Sequence, residues 1–391
     1  MSRPWRGALA VVAALGIVSL AWALWPAADG RSSRTRVRAT VAVREALDAG
    51  GLAGFARARA PRALSFPDDH GPHPAFRTEW WYYTGNLATA TGRHVGFQLT
   101  FFRTALAPPD HVAAGRGSAW AASQVYLAHF ALTDTAGGRF HATSRLSREA
   151  LGLAGARAQP FHVWVEDWSA RSETAGEFPV RLAAADGPVA IDLLLERGKP
   201  VVLQGDRGLS AKGPEPGNAS YYYSFTRMPA TGTVRIGDEV LAVSGLAWMD
   251  REWSTSALGR DLAGWDWFAL QLDDGRDLMV FRLRRRDGSP DPQSAGTLVA
   301  ANGDTRPLAA GAATLEPVGH WTSPASGVRY PSGWRLGVPA EDLSIEITPR
   351  LRDQELLVGP RYWEGAVRVQ GSAAGRPITG QGYVELVGYG E

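Results

Sequence analysis

Two aromatic-rich patterns occur twice in the same order, and this repetition narrows the folds open to the chain more than any other feature. EWWYYTGNL (79–87) runs through the turn residues Gly92-Arg93 into an apolar segment, and GWDWFALQL (264–272) runs through Gly275-Arg276 into another. Further along, Tyr221-Tyr222-Tyr223 leads to SGLAWMD (244–250), while Tyr362-Trp363-Glu364 leads to TGQGYVE (379–385). Opening and closing segments that recur in order mark a duplicated unit. After Pro61 the texture is short β-rich runs broken by Gly, Asp and Asn, without sustained helical periodicity. Turn pairs such as Thr91-Gly92, Asp186-Gly187 and Asp274-Gly275 punctuate these runs. The reading is all-β: two antiparallel barrels in tandem, over 63–244 and 245–391.

Charge divides the chain in a second way. The formal net charge is +2, yet 10 basic and 3 acidic residues fall at or before Arg62, leaving 31 basic and 36 acidic residues for the body. A nucleic-acid binder would carry its positive surplus on the folded body, so no nucleic-acid partner is expected. Arg3 and Arg6 precede an uncharged apolar run of 19 residues, Gly7 to Trp25, ended by Pro26. Residues 1–30 therefore read as a signal peptide or a signal-anchor helix, with the body exported to the periplasm or beyond. An Arg-rich linker with one short helix, 31–62, joins this segment to the barrels. The chain has no cysteine, which excludes disulfides and thiolate metal sites.

The segments FPDDHGPHPAFRTEWWYYTGNL, GFQLTFFR, SGLAWMDREWS, GWDWFALQLDDG and YWEGAVRVQG resemble the AttH / carotenoid 1,2-hydratase (hydroxyneurosporene synthase) superfamily. The resemblance extends from Phe66 to Glu391 and implies two lipocalin-like barrels. It implies several activities as well: hydration of a terminal double bond in acyclic carotenoids, association with ABC exporters of the lipoprotein-release type, and intramolecular cycloaddition in distant fungal relatives. Fold membership alone does not choose among them.

Trp248-Met249-Asp250-Arg251-Glu252-Trp253 is the first candidate site. On a strand, Trp248, Asp250 and Glu252 share one face while Arg251 and Trp253 take the other. Asp250 matches the aspartate that the hydratase resemblance implies as proton donor; Trp248 and Glu252 stand where that branch has Tyr and Asn. Protonating an isolated alkene requires a neutral carboxylic acid in a dry pocket, and burial next to Glu252 would supply one. The bland reading is a structural ion-pair cluster of Asp250, Arg251 and Glu252 where the barrels meet. Trp80, Trp81, Tyr83, Tyr223, Trp253, Trp265, Asp266 and Trp267 are the candidate ligand contacts, lining a barrel lumen.

Asp68-Asp69-His70-Gly71-Pro72-His73-Pro74 reads as a plug across a barrel end, pairing with Arg77 or with the domain boundary. Its spacing matches no standard metal site, and no metal or cofactor is expected. The chain carries no G-x-S-x-G elbow, no H-E-x-x-H and no P-loop. The expected function is a carrier of a lipid-like or isoprenoid ligand, with an ABC transporter permease as partner. The alternative is a hydratase with Asp250 as general acid.

Overall fold

Val180–Asp186 and Val189–Leu195 bury every second residue, the mark of strands with one covered face. Thr78–Ala88 and the second half of Glu239–Ser254 behave differently, since almost every side chain in them is buried. Such strands need cover on both faces, and the architecture provides it with a second sheet. The computed structural model describes residues 53–112, 123–255, 258–259 and 261–390, all within the unit Ala39–Glu391. The expected signal or anchor segment, 1–30, and the linker up to residue 52 lie outside the described residues. Among the described residues no helix is long and apolar enough to cross a membrane.

Strands make up 59% of the described residues and helix 3%. The first sheet begins as a meander, Thr78–Ala88, His94–Ala105, Gln124–Asp134 and Arg139–Arg148. Thr78–Ala88 also pairs with Glu239–Ser254, which continues through Ala219–Ile236 and Val189–Leu195 to Ala154–Arg157. The two ends of this sheet return against each other, where the Arg145 guanidinium stacks over Trp168 and pairs with Glu166 and Asp167. The result is a nearly closed barrel. The second sheet is a half-barrel built to the same plan: its opening strand, Leu262–Leu272, pairs with the last strand, Arg376–Val387, which pairs with Tyr362–Ala373. The twofold sequence pattern is thus visible as the same strand pairing made twice. Glu239–Ser254 belongs wholly to the first sheet, so the expected division at 244/245 falls inside a strand, and the sheets change between Ser254 and Leu262.

Three cores follow. One fills the first barrel around Trp81, Phe97, Trp168, Tyr223 and Trp253, and one lines the half-barrel around Phe268, Trp334 and Trp363. The third lies between the sheets and includes Tyr82, Tyr222, Trp248, Trp267 and Tyr383. The sheets approach so closely that a Cβ at Gly96 would come within 2.7 Å of the Ala366 methyl.

The segment around Asp69, His70 and His73 packs onto the core of the first barrel and is held there from several sides. Trp81 Nε1 donates to the His70 carbonyl at 2.8 Å, and Arg251 donates to the Gly71 carbonyl at 2.6 Å. His73 stacks on Trp253 at 3.9 Å between ring centres, and Arg62 pairs with Asp69. Behind this segment, Glu79 bridges Arg103 and Arg251, all three fully buried. Burial alone would raise the Glu79 carboxyl, but the two guanidiniums outweigh it and hold the group well below the usual carboxylate range. Glu79→Gln leaves two buried cations undercompensated, and we expect it to destabilise the protein by about 3–5 kcal/mol in urea unfolding. A loss below about 1 kcal/mol would show that the triad does not hold the barrel end.

Candidate active site between the sheets

Alternation along three paired strands decides which side chains meet. Asp250 stands opposite Tyr82 on one neighbour and Ser224 on the other, while Glu252 stands opposite Trp80 and Tyr222. These residues point out of the barrel toward the second sheet, where Trp265, Trp267, Phe281 and Glu385 face them. The space enclosed is a cavity of about 330 Å³ with mostly apolar walls. That is the lower end of the roughly 300–1,000 Å³ typical of small-molecule sites.

Asp250 is 4% exposed, and all its hydrogen bonds come from neutral donors. Trp248 Nε1 and the Ser224 hydroxyl donate to Oδ1 at 2.7 and 2.5 Å, and the Tyr222 hydroxyl donates to Oδ2 at 2.6 Å. Trp267 Nε1 donates in turn to the Tyr222 oxygen at 3.2 Å. Among the described residues no Arg, Lys or His forms an ion pair with Asp250. Burial drives its carboxyl up, the three hydrogen bonds oppose that, and the Glu252 charge adds to the rise, leaving it at about 7. Trp248 N–H can only donate, whereas the two hydroxyls can reverse direction. Protonation of Asp250 therefore requires one of the two hydroxyls, Ser224 or Tyr222, to turn from donor to acceptor.

The other carboxylates are handled differently. Glu252 accepts from the Ser220 hydroxyl and pairs with Lys212 at 3.0 Å, the ammonium lying 4.7 Å from the centre of the Phe281 ring. Across the cavity, Trp265 Nε1 donates to Glu385 Oε2 at 2.8 Å. Burial pushes Glu385 up to about 7 against that hydrogen bond, with the charges of Asp250 and Glu252 adding to the shift.

The sequence candidates divide by face. Trp80, Trp265 and Trp267 line the cavity with Asp250 and Glu252, and Trp248 buttresses Asp250 from the side. The expected lumen site is not what the structure holds. Trp81, Tyr83, Tyr223 and Trp253 point into the first barrel and are packed as its core. Tyr223 shares its hydroxyl with His70 Nδ1 at 2.5 Å, and the Arg251 guanidinium lies 4.0 Å from the Trp81 ring centre. Asp266 is fully buried between Arg282 and Arg284, at 2.6 and 2.9 Å, which makes it a structural ion cluster. The proposed Asp250–Arg251–Glu252 ion cluster does not form, because Arg251 lies on the barrel side with Glu79. Lys212, Tyr82, Tyr222, Ser224 and Glu385 were not singled out from sequence. For Glu385 a signal existed: the two repeated closing segments both end on a carboxylate, Asp250 in one and Glu385 in the other.

Fold and site together define a class, paired lipocalin-type sheets that clasp an acid-bearing apolar cavity. The AttH-like family matches residues 57–389, and the chain belongs to that family. The solved structure of an AttH protein from Nitrosomonas europaea is 37% identical over 84% of this chain and 99% of its own, with a TM-score of 0.74. Kievitone hydratase from Nectria haematococca shares the fold at 17% identity and a TM-score of 0.64, covering 86% of this chain and 97% of its own. CghA, solved with Sch210972, does so at 17% identity and 0.52, with the same coverage. No curated protein matches the chain.

The elevated carboxyl fixes the sign of a stability effect. Between the ordinary 3.8 and about 7, folded Asp250 keeps a proton that the unfolded chain has released. Its contribution to stability is therefore fully present below that window and falls as pH rises through it, by up to about 4 kcal/mol. We expect the melting temperature of the wild type, relative to Asp250→Asn, to fall across that window and level off above it. A difference that stays flat from acid to neutral pH would mean Asp250 ionises normally.

Proposed function

We propose that this protein binds an acyclic isoprenoid-like molecule in the inter-sheet cavity and adds water to one of its C=C bonds, with Asp250 as general acid. The observation that carries the reading is Asp250 itself: a buried carboxyl, facing an apolar cavity, hydrogen-bonded only by neutral groups. An alkene is too weak a base for a carboxyl in water, but a neutral acid in a dry site is matched to the task. The Asp250 proton passes to one alkene carbon, and the π electrons form the new C–H bond. The cation left on the other carbon faces Trp80, Trp265 and Trp267, whose ring faces favour positive charge. Water then adds, and its surplus proton goes to a carboxylate of the cavity. The size of the cavity suits a short terpene or the end of a longer chain.

Two likenesses of fold support the reading by analogy, a hydratase and a protein solved with a bound compound. We also place the reaction outside the cytoplasm, on the strength of the apolar run Gly7 to Trp25 behind Arg3 and Arg6. The ABC permease implied by the AttH resemblance is then the partner proposed for this exported protein.

The test is incubation with an acyclic carotene in micelles, and with a short acyclic terpene, in isotope-labelled water. Oxygen incorporation is followed by mass spectrometry. Wild type is expected to form the tertiary alcohol. Asp250→Asn should lose about 10²–10⁴ in kcat while binding the same ligand within about threefold. Binding with no incorporated oxygen in the wild type would instead make the protein a carrier. Full turnover in the variant would remove Asp250 as the acid.

A further inference from the structure

Hydration needs a second proton transfer, away from the adding water, and the wall opposite Asp250 holds a group placed to accept it. Glu385 lies directly across from Glu364 in the ladder between Arg376–Val387 and Tyr362–Ala373. Opposed residues of an antiparallel pair project from the same face with Cβ atoms about 5 Å apart. Glu364 is fully buried; its Oε1 accepts from the Tyr82 hydroxyl, and its Oε2 has no hydrogen-bond partner. Among the described residues no cation pairs with either carboxyl. Two such groups side by side without a cation do not both ionise, because the second charge would meet both desolvation and the first. Glu364, the more enclosed, keeps the proton. Glu385 opens on the cavity and has the Trp265 N–H to stabilise its charge.

We propose that Glu385 is the second catalytic group of the cavity, the base that takes a proton from the water adding to the substrate cation. This inference rests on the hydration reading of Asp250. In the step, a lone pair on the water oxygen forms the C–O bond, one water O–H bond breaks, and that proton passes to the Glu385 carboxylate. Asp250 has by then given its own proton to carbon. Return of one proton from Glu385 to Asp250 through solvent restores both groups, and the net change is alkene plus water to alcohol. The two halves of the duplicated fold thus contribute one carboxyl each, from equivalent ends of SGLAWMD and TGQGYVE.

The test uses Glu385→Gln, whose side-chain oxygen can still accept from Trp265. The titratable and charged groups facing Glu385 are Glu364 and Tyr362 on the adjoining strand, and Asp250, Glu252 and Tyr82 on the first sheet, with Lys212 held by Glu252. In the hydration assay the variant is expected to lose about a hundredfold in kcat with KM within about threefold. It should also lose the rise of kcat with pH on the acid side, because a base must be ionised to work. A parallel arm needs no turnover: binding of dimethyldodecylamine and of dodecanol, read from tryptophan fluorescence. In an Asp250→Asn background, which removes the other cavity carboxyl without a cation, the protein should prefer the ammonium about tenfold at mildly alkaline pH and less at mildly acidic pH, and adding Glu385→Gln should abolish most of that preference. If Asp250→Asn is inert while Glu385→Gln turns over within twofold of wild type, the inference is overturned and the Asp250 reading stands. An ammonium preference that Glu385→Gln leaves undiminished in the Asp250→Asn background overturns it too. A wild type that hydrates neither isoprenoid overturns both readings together.

Discussion

Along Thr78–Ala88 and the end of Glu239–Ser254 the outer face of the first barrel is closed off from water by the half-barrel, and every property of the site descends from that contact. A barrel sheet ordinarily turns one face to its own core and the other to solvent. Here Thr78–Ala88 and the end of Glu239–Ser254 are buried on both. The contact is fixed by polar bonds as well as by aromatic packing. Asn86 Nδ2 donates to the Gly382 carbonyl at 3.0 Å, the Thr133 hydroxyl to Gln354 Oε1 at 2.8 Å, and His129 Nδ1 lies 2.8 Å from the Tyr362 hydroxyl. Each such bond contributes only about 0.5–1.5 kcal/mol net, but leaving one unmade in a buried interface costs more. The walls of the cavity are therefore set before any ligand arrives.

Asp250 and Arg251, neighbours in sequence, show how the arrangement sorts charge. Arg251 turns inward and meets Glu79, so one of the barrel's buried cations is neutralised there. Asp250 turns outward and meets only hydroxyls and an indole N–H. Had both side chains faced the same way, the guanidinium would have held Asp250 ionised at neutral pH, and it would be useless as an acid. Strand alternation, a purely geometric rule, keeps them apart. Glu252 shares the Asp250 face but has Lys212, so the carboxylates of the first sheet differ in what they can do.

Much of this was legible in the sequence, and the remainder was hidden for a definite reason. The repeat of GWDWFALQL on EWWYYTGNL gave the duplicated β architecture, and the period of two placed Trp248, Asp250 and Glu252 together. What period two leaves open is which face of a strand meets its own barrel and which meets a neighbour. Trp80 and Trp81 are the same residue type at adjacent positions, yet one lines the cavity and the other is core. Asp266 lies between Trp265 and Trp267 in sequence, but its partners Arg282 and Arg284 lie on the next strand of the second sheet and take it out of the cavity's chemistry. Lys212 precedes the strand Ala219–Ile236, in no motif at all, and only the folded chain brings it to Glu252.

The central claim is that a carboxyl at Asp250 remains neutral close to physiological pH in the gap between two sheets. Carbon NMR of protein labelled at aspartate carboxyl carbons reads this without substrate. One resonance should titrate with a midpoint near 7 and be missing from the spectrum of the Asp250→Asn variant. A spectrum in which every aspartate resonance titrates below roughly pH 5 would contradict it.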